Sequence, residues 1–170
     1  MTLPTHVQEF IESLKTVDYF SGSGPLPEGC KLYETRYDAY DAGYAAAEAA
    51  AEAAAEAAAE GIMWQDLWIA ALHAARDAAK AAALATDQRA ALNDAASAAH
   101  NAAWDATEGE GGAMWDAALD ASLAAQCLLV QDHIDPEHLD YALRRWAIWQ
   151  AGYGLAGKVG GTYYCYKRPQ

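Results

Sequence analysis

Residues 44–61 read YAAAEAAAEAAAEAAAEG, in which four glutamates are spaced four residues apart along a run of alanine. Alanine has the highest helix propensity of the amino acids, and a four-residue spacing returns each glutamate to the same side of an α-helix. Like charges at this spacing cost only about 0.2–0.5 kcal/mol per pair, which the alanines can offset. The segment therefore predicts one long helix with an acidic face.

Alanine-rich segments continue through much of the 170-residue chain. Alanine supplies most of the 54% hydrophobic content but buries little area, so larger residues have to form the core. We expect the tryptophans to provide most of the large core contacts. They are Trp64, Trp68, Trp104, Trp115, Trp146 and Trp149.

Glycines, prolines and capping residues divide the chain into about six helices. Helical patterns cover residues 5–16, 32–60, 62–84, 88–106, 113–131 and 136–150, and the Gly and Pro of residues 21–29 indicate a loop. The last helix has the clearest start, because Asp135 is an N-cap and Pro136 takes the first helical position. The predicted fold class is mainly α, a bundle forming a single domain over residues 1–170, in which residues 32–60 are the long acidic helix.

The C-terminal residues 153–167 do not follow the helical pattern. The tail reads as two short strands around Gly157 to Gly161, which predicts a small β-hairpin. An isolated two-stranded hairpin is only marginally stable in water. We therefore expect this hairpin to pack on a helix or to pair with another strand edge.

The chain ends in WAIWQAGYGLAGKVGGTYYCY, preceded by alanine-rich helices. This ending resembles uncharacterised small alanine-rich helical proteins of bacteria and their mobile elements, which end in W-x-x-W-x-x-G-Y-G followed by a Y-x-Y strand. The turn differs, since those proteins have an acidic or Asn-Gly type turn where this chain has GKVGG. The resemblance implies the architecture and carries no known activity. The matching residues are Trp146, Trp149, Gly152, Tyr153, Gly154, Tyr164 and Tyr166.

The net charge of −13 is distributed unevenly. Residues 1–140 contain all 24 acidic residues and six of the 11 basic ones, a net charge of −18, whereas residues 141–170 contain five basic residues and no acid. Phosphate repulsion makes direct nucleic-acid binding an unfavourable interpretation, and a partner protein with a basic surface is favoured. The basic tail is expected to meet an acidic face of the same molecule or of a second copy.

The composition also bears on the cellular compartment. No run approaches the roughly 20 apolar residues of a membrane span, and the first residues lack the basic and apolar regions of a signal peptide. Cys30, Cys127 and Cys165 are odd in number and form no CxxC motif, as is typical of reduced thiols. We therefore expect a cytoplasmic protein without membrane association.

The acidic stripe of the long helix extends back beyond the alanine run, in steps of three, four or seven residues. It has two interpretations, a solvated face that keeps the helix soluble or a binding ridge for a basic surface. The stripe consists of Glu34, Asp38, Asp41, Glu48, Glu52, Glu56 and Glu60, and the tyrosines on the adjacent stripe are Tyr33, Tyr37, Tyr40 and Tyr44.

Residues 131–140, QDHIDPEHLD, contain the metal-ligand candidates His133, Asp135, Glu137 and His138. These are chemically suitable ligands, but their spacing matches no zinc or iron pattern, and Asp135 is already explained as a helix cap. The chain has no GxSxG motif and no phosphate-binding loop. We therefore expect neither a cofactor nor an enzyme.

Three hypotheses for function follow. The leading one is a non-enzymatic protein-binding factor, an acidic inhibitor or an immunity or anti-defence protein of a phage or mobile element, which occupies a basic, nucleic-acid-binding surface of its partner. The second is a self-assembling scaffold, a homo-oligomer in which the basic tail of one copy meets the acidic helix of the next. The third is a metal-dependent enzyme centred on His133 and His138.

Overall fold

A computed structural model describes residues 2–17, 22, 24–58, 64–106 and 111–168, with side chains throughout except at residues 55–58, 64–68 and 111–113. The described part contains six α-helices, one short 3₁₀ helix and three strands. In chain order these are α1 (Thr5–Leu14), β1 (Cys30–Tyr33), α2 (Arg36–Ala58), α3 (Trp64–Ala85), α4 (Arg89–Ala106), α5 (Gly111–Leu129), the 3₁₀ helix (Gln131–His133), α6 (Pro136–Gln150), β2 (Tyr153–Val159) and β3 (Thr162–Lys167).

Alanines form much of the interface between the helices. Those of α4 and α5 recur at steps of three and four residues and are almost completely buried, as the helical period requires. Such small side chains allow neighbouring helix backbones to approach closely. The buried alanines include Ala91, Ala95, Ala99, Ala102 and Ala103 of α4 and Ala117, Ala118, Ala121, Ala124 and Ala125 of α5.

Two of the six tryptophans provide the large core contacts. Trp146 and Trp149 of α6 are completely buried, and Phe10 of α1 packs edge-on against Trp146 with the ring centroids 5.9 Å apart. The prediction was wrong for Trp104 and Trp115, which are 38% and 52% exposed. The alanines of α4 and α5 already fill the contact between these helices, so the two indoles lie at its margin. The side chains of Trp64 and Trp68 lie outside the described residues.

The strands form one sheet in the order β1-β3-β2, in which β2 is antiparallel and β1 parallel to β3. The predicted hairpin is confirmed, and it both pairs with another strand and packs on a helix. On one face of the sheet, Ala39 and Ala47 of α2 lie against Tyr164 and Tyr166 of β3. On the other face, Cys165 belongs to the main core.

The strand β1 corrects the predicted start of the acidic helix. Residues 30–33 pair with β3, and the helix begins at Arg36 instead of near residue 32. Thr35 explains the boundary, since its hydroxyl accepts a hydrogen bond from the backbone N–H of Asp38 at 3.1 Å and donates to the Asp38 carboxylate at 2.8 Å. The helices and the sheet pack together as one domain, so the predicted fold class is confirmed.

The start of α6 agrees with its sequence signal. The Asp135 carboxylate accepts a hydrogen bond from the backbone N–H of Glu137 at 2.9 Å, and Pro136 occupies the first turn. Gly152 follows the helix with φ of 82°, a left-handed conformation that glycine adopts readily. Within the described helices, no stretch is both long and apolar enough to cross a membrane.

Candidate functional site

One side of α2 is buried and the opposite side faces solvent. Ala39, Ala47 and Ala51 are buried, the first two of them against the sheet. Four carboxylates of the sequence-predicted stripe lie on the solvent side of the helix. We call Asp38, Asp41, Glu48 and Glu52 the acidic face, and all four are exposed.

Most charges of the acidic face are left unneutralised. Asp38 accepts the Thr35 hydroxyl at the helix start, whereas Asp41, Glu48 and Glu52 make no ion pair with any other described residue. The backbone of Glu56 continues the helix, but its side chain is not described, and Glu60 lies outside the described residues. The acidic face therefore presents negative charge over the 15 residues from Asp38 to Glu52, about 21 Å of helix.

A groove lies beside the N-terminal end of the acidic face. It has a volume of about 500 Å³ and is lined by Arg36, Tyr37, Tyr40, Asp41 and Tyr44; we call it the tyrosine groove. Tyr37 is 82% exposed, while the half-buried rings of Tyr40 and Tyr44 lie 5.9 Å apart. Three of the four sequence-predicted tyrosines are therefore brought together.

The fourth tyrosine and the first acid of the predicted stripe lie elsewhere, because residues 33 and 34 precede the helix. Tyr33 belongs to β1, and its ring stacks on Tyr164 of β3 at 6.1 Å. The Glu34 carboxylate accepts a hydrogen bond from the Lys167 ammonium at 2.7 Å. Tyr33 is thus a packing residue of the sheet, and Glu34 is paired with the basic tail of its own chain.

Arg36 connects the tyrosine groove to the interior. Its guanidinium donates to the Asp116 carboxylate of α5 at 2.9 Å and lies over the Tyr40 ring, 5.2 Å from its centroid. Burial raises the pKa of Asp116, and the neighbouring Arg36 charge opposes this increase. The Asp116 carboxylate therefore largely balances the Arg36 charge, so Arg36 adds little positive charge to the acidic face.

A second ion pair lies one helical turn further along α5. Arg145 of α6 donates to both oxygens of Asp120, from Nε at 2.7 Å and from Nη2 at 3.2 Å. Trp149 Nε1 donates to the same carboxylate at 2.9 Å, and Arg145 Nη1 donates to the Tyr141 hydroxyl at 3.1 Å. Although burial disfavours its charged form, the pKa of Arg145 is raised by the Asp120 charge. These groups satisfy one another, as a buried network must.

Sequence reasoning missed Arg36, Asp116, Asp120 and Arg145. The available signal was the pair of acids one turn apart on α5, a helix in which most of the other residues are apolar. Such a pair on a buried helix needs cationic partners. The structure places Asp116 and Arg145 on the wall of an internal cleft of about 160 Å³, together with Tyr40, Leu119 and Leu155. Because both charged groups are already paired, we assign them the role of joining α2, α5 and α6.

The metal-ligand candidates of residues 131–140 are not gathered into a site. His133 is in the 3₁₀ helix and exposed, Asp135 caps α6, Glu137 is exposed and His138 is half-buried. Over the part of the chain that the structure describes, no three His, Cys, Asp or Glu side chains lie close enough together to hold a metal ion. The capping bond of Asp135 accounts for the acid at this position.

The basic tail packs on its own molecule. Lys158 lies over the rings of Tyr141 and Tyr163, 5.1 Å and 5.4 Å from their centroids, and the Arg168 guanidinium lies over Trp149 at 5.5 Å. Together with the Lys167–Glu34 pair, these contacts place the cations of the hairpin on aromatic rings and carboxylates of the same chain.

Comparison with protein families, curated proteins and solved structures finds no match for this chain. The resemblance of the C-terminal motif to bacterial alanine-rich proteins therefore stays a prediction.

Proposed function

We propose that the chain is a non-enzymatic protein-binding factor that uses the acidic face and the tyrosine groove of α2 to occupy a basic surface of a partner protein. The observation that carries this proposal is Tyr37, which is 82% exposed in a groove next to unpaired carboxylates. Tyrosine is enriched among the residues that dominate protein interfaces. A large ring held out into solvent contributes little to folding, so its position suits a contact with another molecule.

Charge specifies the kind of partner. Asp41, Glu48 and Glu52 are exposed and unpaired, and the chain has a net charge of −13. Complementary charge accelerates encounter and selects against acidic partners. Lysine or arginine side chains of a partner can meet the carboxylates and also lie on the exposed tyrosine rings. We therefore propose a basic surface, of the type that binds nucleic acid, as the partner of α2.

The spacing of the charges limits how that surface is occupied. Residues four apart on a helix are about 6 Å apart along its axis, whereas one DNA strand presents a phosphate every 3.4 Å or so. A single row of carboxylates is too sparse to imitate a duplex. The row can still occupy an arginine-lined groove built for one strand, and we propose that the protein acts as an inhibitor of a nucleic-acid-handling protein, of the immunity or anti-defence type.

A second copy of this chain is the less favoured partner. Self-assembly through the basic tail requires free cations, but Lys167 is paired with Glu34, and Lys158 and Arg168 lie on aromatic rings of the same molecule. Among the residues that the structure describes, no contact specifically supports the scaffold hypothesis, and no cluster of ligands supports a metal-dependent enzyme at His133 and His138.

Affinity capture from host lysate, read out by mass spectrometry, tests the proposal. The bait is the full chain, compared with a variant in which Asp41, Glu48 and Glu52 are changed to Asn, Gln and Gln. The matched control changes Asp77, Asp94 and Asp105 to Asn, three exposed acids of α3 and α4. We expect the wild type and the control to capture a protein with a basic, nucleic-acid-binding surface, and the α2 variant to lose it. Single-stranded oligonucleotide should displace this protein from the bait. Equal capture by both variants, or a captured partner without a basic surface, would contradict the proposal.

A further inference from the structure

Two of the three cysteines lie on neighbouring strands. Cys30 is the first residue of β1, and Cys165 lies in β3. In the parallel register Cys30 is opposite Tyr163, and Leu32 is opposite Cys165. Side chains two residues apart on a strand share a face, so Cys30 and Cys165 are diagonal neighbours on the face that joins the main core. Cys165 belongs to that core, and Cys30 packs against it.

The two thiols differ in exposure and in acidity. Cys30 is half-buried and reachable from solvent, whereas Cys165 is completely buried. The hydrogen bond from Cys165 lowers the pKa of Cys30, burial opposes this, and the nearby Arg144 guanidinium lowers it further. The same hydrogen bond and burial raise the pKa of Cys165. A partly exposed thiol of lowered pKa beside a second thiol is the arrangement of a redox-sensitive cysteine with its resolving partner.

We propose that Cys30 and Cys165 form an oxidant-sensitive dithiol, in which a hydroperoxide oxidises Cys30 and Cys165 then closes a disulfide between β1 and β3. In the first step the Cys30 thiolate attacks one peroxide oxygen, the O–O bond breaks, and a sulfenic acid and an alcohol or water are formed. In the second step the Cys165 sulfur attacks the Cys30 sulfur, the S–O bond breaks, and the Cys165 proton leaves with the hydroxyl as water. The dithiol loses two electrons and two protons, and the peroxide is reduced.

The strand geometry indicates that this disulfide is reversible. Adjacent strands lie about 4.8 Å apart and two residues advance about 6.6 Å along a strand, so the Cα atoms of diagonal neighbours are about 8 Å apart, beyond the span of a relaxed disulfide. Closing the bond therefore draws the start of β1 toward β3. The strand β1 can move in this way because it is a four-residue edge strand entered through Gly29, whose φ is 83°. Strained disulfides are the more easily reduced ones.

Oxidation of the full chain with hydrogen peroxide at neutral pH tests the proposal. After quenching, the protein is denatured, alkylated with iodoacetamide, digested and analysed by mass spectrometry. Before oxidation we expect three alkylated cysteines; after it, only Cys127 is alkylated and one peptide pair is crosslinked through Cys30 and Cys165, with full reversal by dithiothreitol. Three alkylatable thiols after oxidation, a sulfonic acid at Cys30 with Cys165 free, or an intermolecular Cys30 disulfide would each overturn the proposal.

Single variants separate the two roles. Cys165→Ser should abolish the crosslink and leave a sulfenic acid at Cys30 that dimedone labels. If the buried serine hydroxyl prevents folding, Cys165→Ala replaces this variant in the experiment. Cys30→Ser should abolish the crosslink and leave Cys165 reduced after the same treatment. Cys127→Ser is the matched control, because this thiol is buried in α5 and burial raises its pKa to about 12; it should retain the complete crosslink. Oxidation of Cys165 in Cys30→Ser as fast as in the wild type, or no dimedone adduct at Cys30 in Cys165→Ser, would contradict the assignment.

Discussion

The Tyr166 ring lies over Gly154, the residue directly opposite it across the β2–β3 ladder. A Cβ atom at position 154 would overlap the ring atoms of Tyr166, and that ring is buried against α2. We therefore expect Gly154→Ala to lower the free energy of unfolding by about 1–3 kcal/mol, the usual cost of overpacking. Urea denaturation measures this change.

The matched control for Gly154 is Gly161, which has no positive φ and open space around the position of a Cβ. Gly161→Ala should leave the free energy of unfolding within roughly 0.5 kcal/mol of wild type. Equal destabilisation by both alanines would show that the ring contact is not the cause.

The Asp120–Arg145 pair should matter much more for stability than the Glu34–Lys167 pair. Removing one member of a buried pair leaves an uncompensated charge, so Asp120→Asn should cost about 3–5 kcal/mol; the Asp120 side chain is only 2% exposed. Glu34→Gln removes an exposed pair and should cost about 1 kcal/mol or less. Denaturation of both variants in parallel measures the difference, and equal costs would contradict the buried assignment.

The tryptophans should divide into two groups. Trp149→Ala removes a completely buried indole and the donor to Asp120, and should cost about 3–5 kcal/mol. Trp115 is 52% exposed and contacts the rings of Trp104 and His100. Trp115→Ala should therefore cost only about 0.5–1.5 kcal/mol. Thermal unfolding of the two variants tests the division, which a larger loss in Trp115→Ala would refute.

Alkaline pH should weaken the C-terminal sheet through Tyr166. Burial raises its pKa to about 12, with Arg36 partly opposing, from an ordinary value of 10.0. The folded state holds this proton more tightly than the unfolded state, so the contribution to stability is complete below pH 10 and is lost as the pH rises toward 12. Stability measured across this range should decline less steeply in Tyr166→Phe.

The same variant makes a prediction at neutral pH. Within the described residues, the buried Tyr166 hydroxyl has no hydrogen-bond partner, so its removal costs no bond. Tyr166→Phe should be neutral or stabilising there. A marked loss of stability at neutral pH would indicate that the hydroxyl is bonded, through water or otherwise.

Tyr37→Ala should separate binding from folding. Because the ring is 82% exposed, the free energy of unfolding should change by less than about 0.5 kcal/mol. An interface anchor costs about 2 kcal/mol or more when truncated, which corresponds to a roughly 30-fold weaker Kd for the captured partner. Leu84→Ala is the control, since Leu84 is 69% exposed on α3, away from the groove. Unchanged affinity in Tyr37→Ala would remove the tyrosine groove from the interface.

The candidate site was only partly predictable from the sequence, because some of its residues follow a local helical pattern and others depend on contacts between distant parts of the chain. Tyr37, Tyr40, Tyr44 and the exposed acids follow from the helical period alone, which acts between residues three or four apart. The position of Tyr33 depends on pairing with Tyr166, more than 130 residues away in the chain, and no local pattern reports such a pairing. The carboxylate partners of Arg36 and Arg145 are also beyond the reach of a helical pattern, at 80 and 25 residues away in the chain.

The sequence by itself determined the helices, the cap at Asp135, the C-terminal hairpin and the acidic stripe of α2, because propensity, capping and hydrophobic period are local properties. The tertiary structure decided that residues 30–33 are a strand, that Glu34 is paired with Lys167, that Trp104 and Trp115 remain exposed, and that Cys30 meets Cys165. Each of these depends on a free strand edge or on a surface already filled by alanine, and such conditions exist only once the distant parts of the chain have packed together.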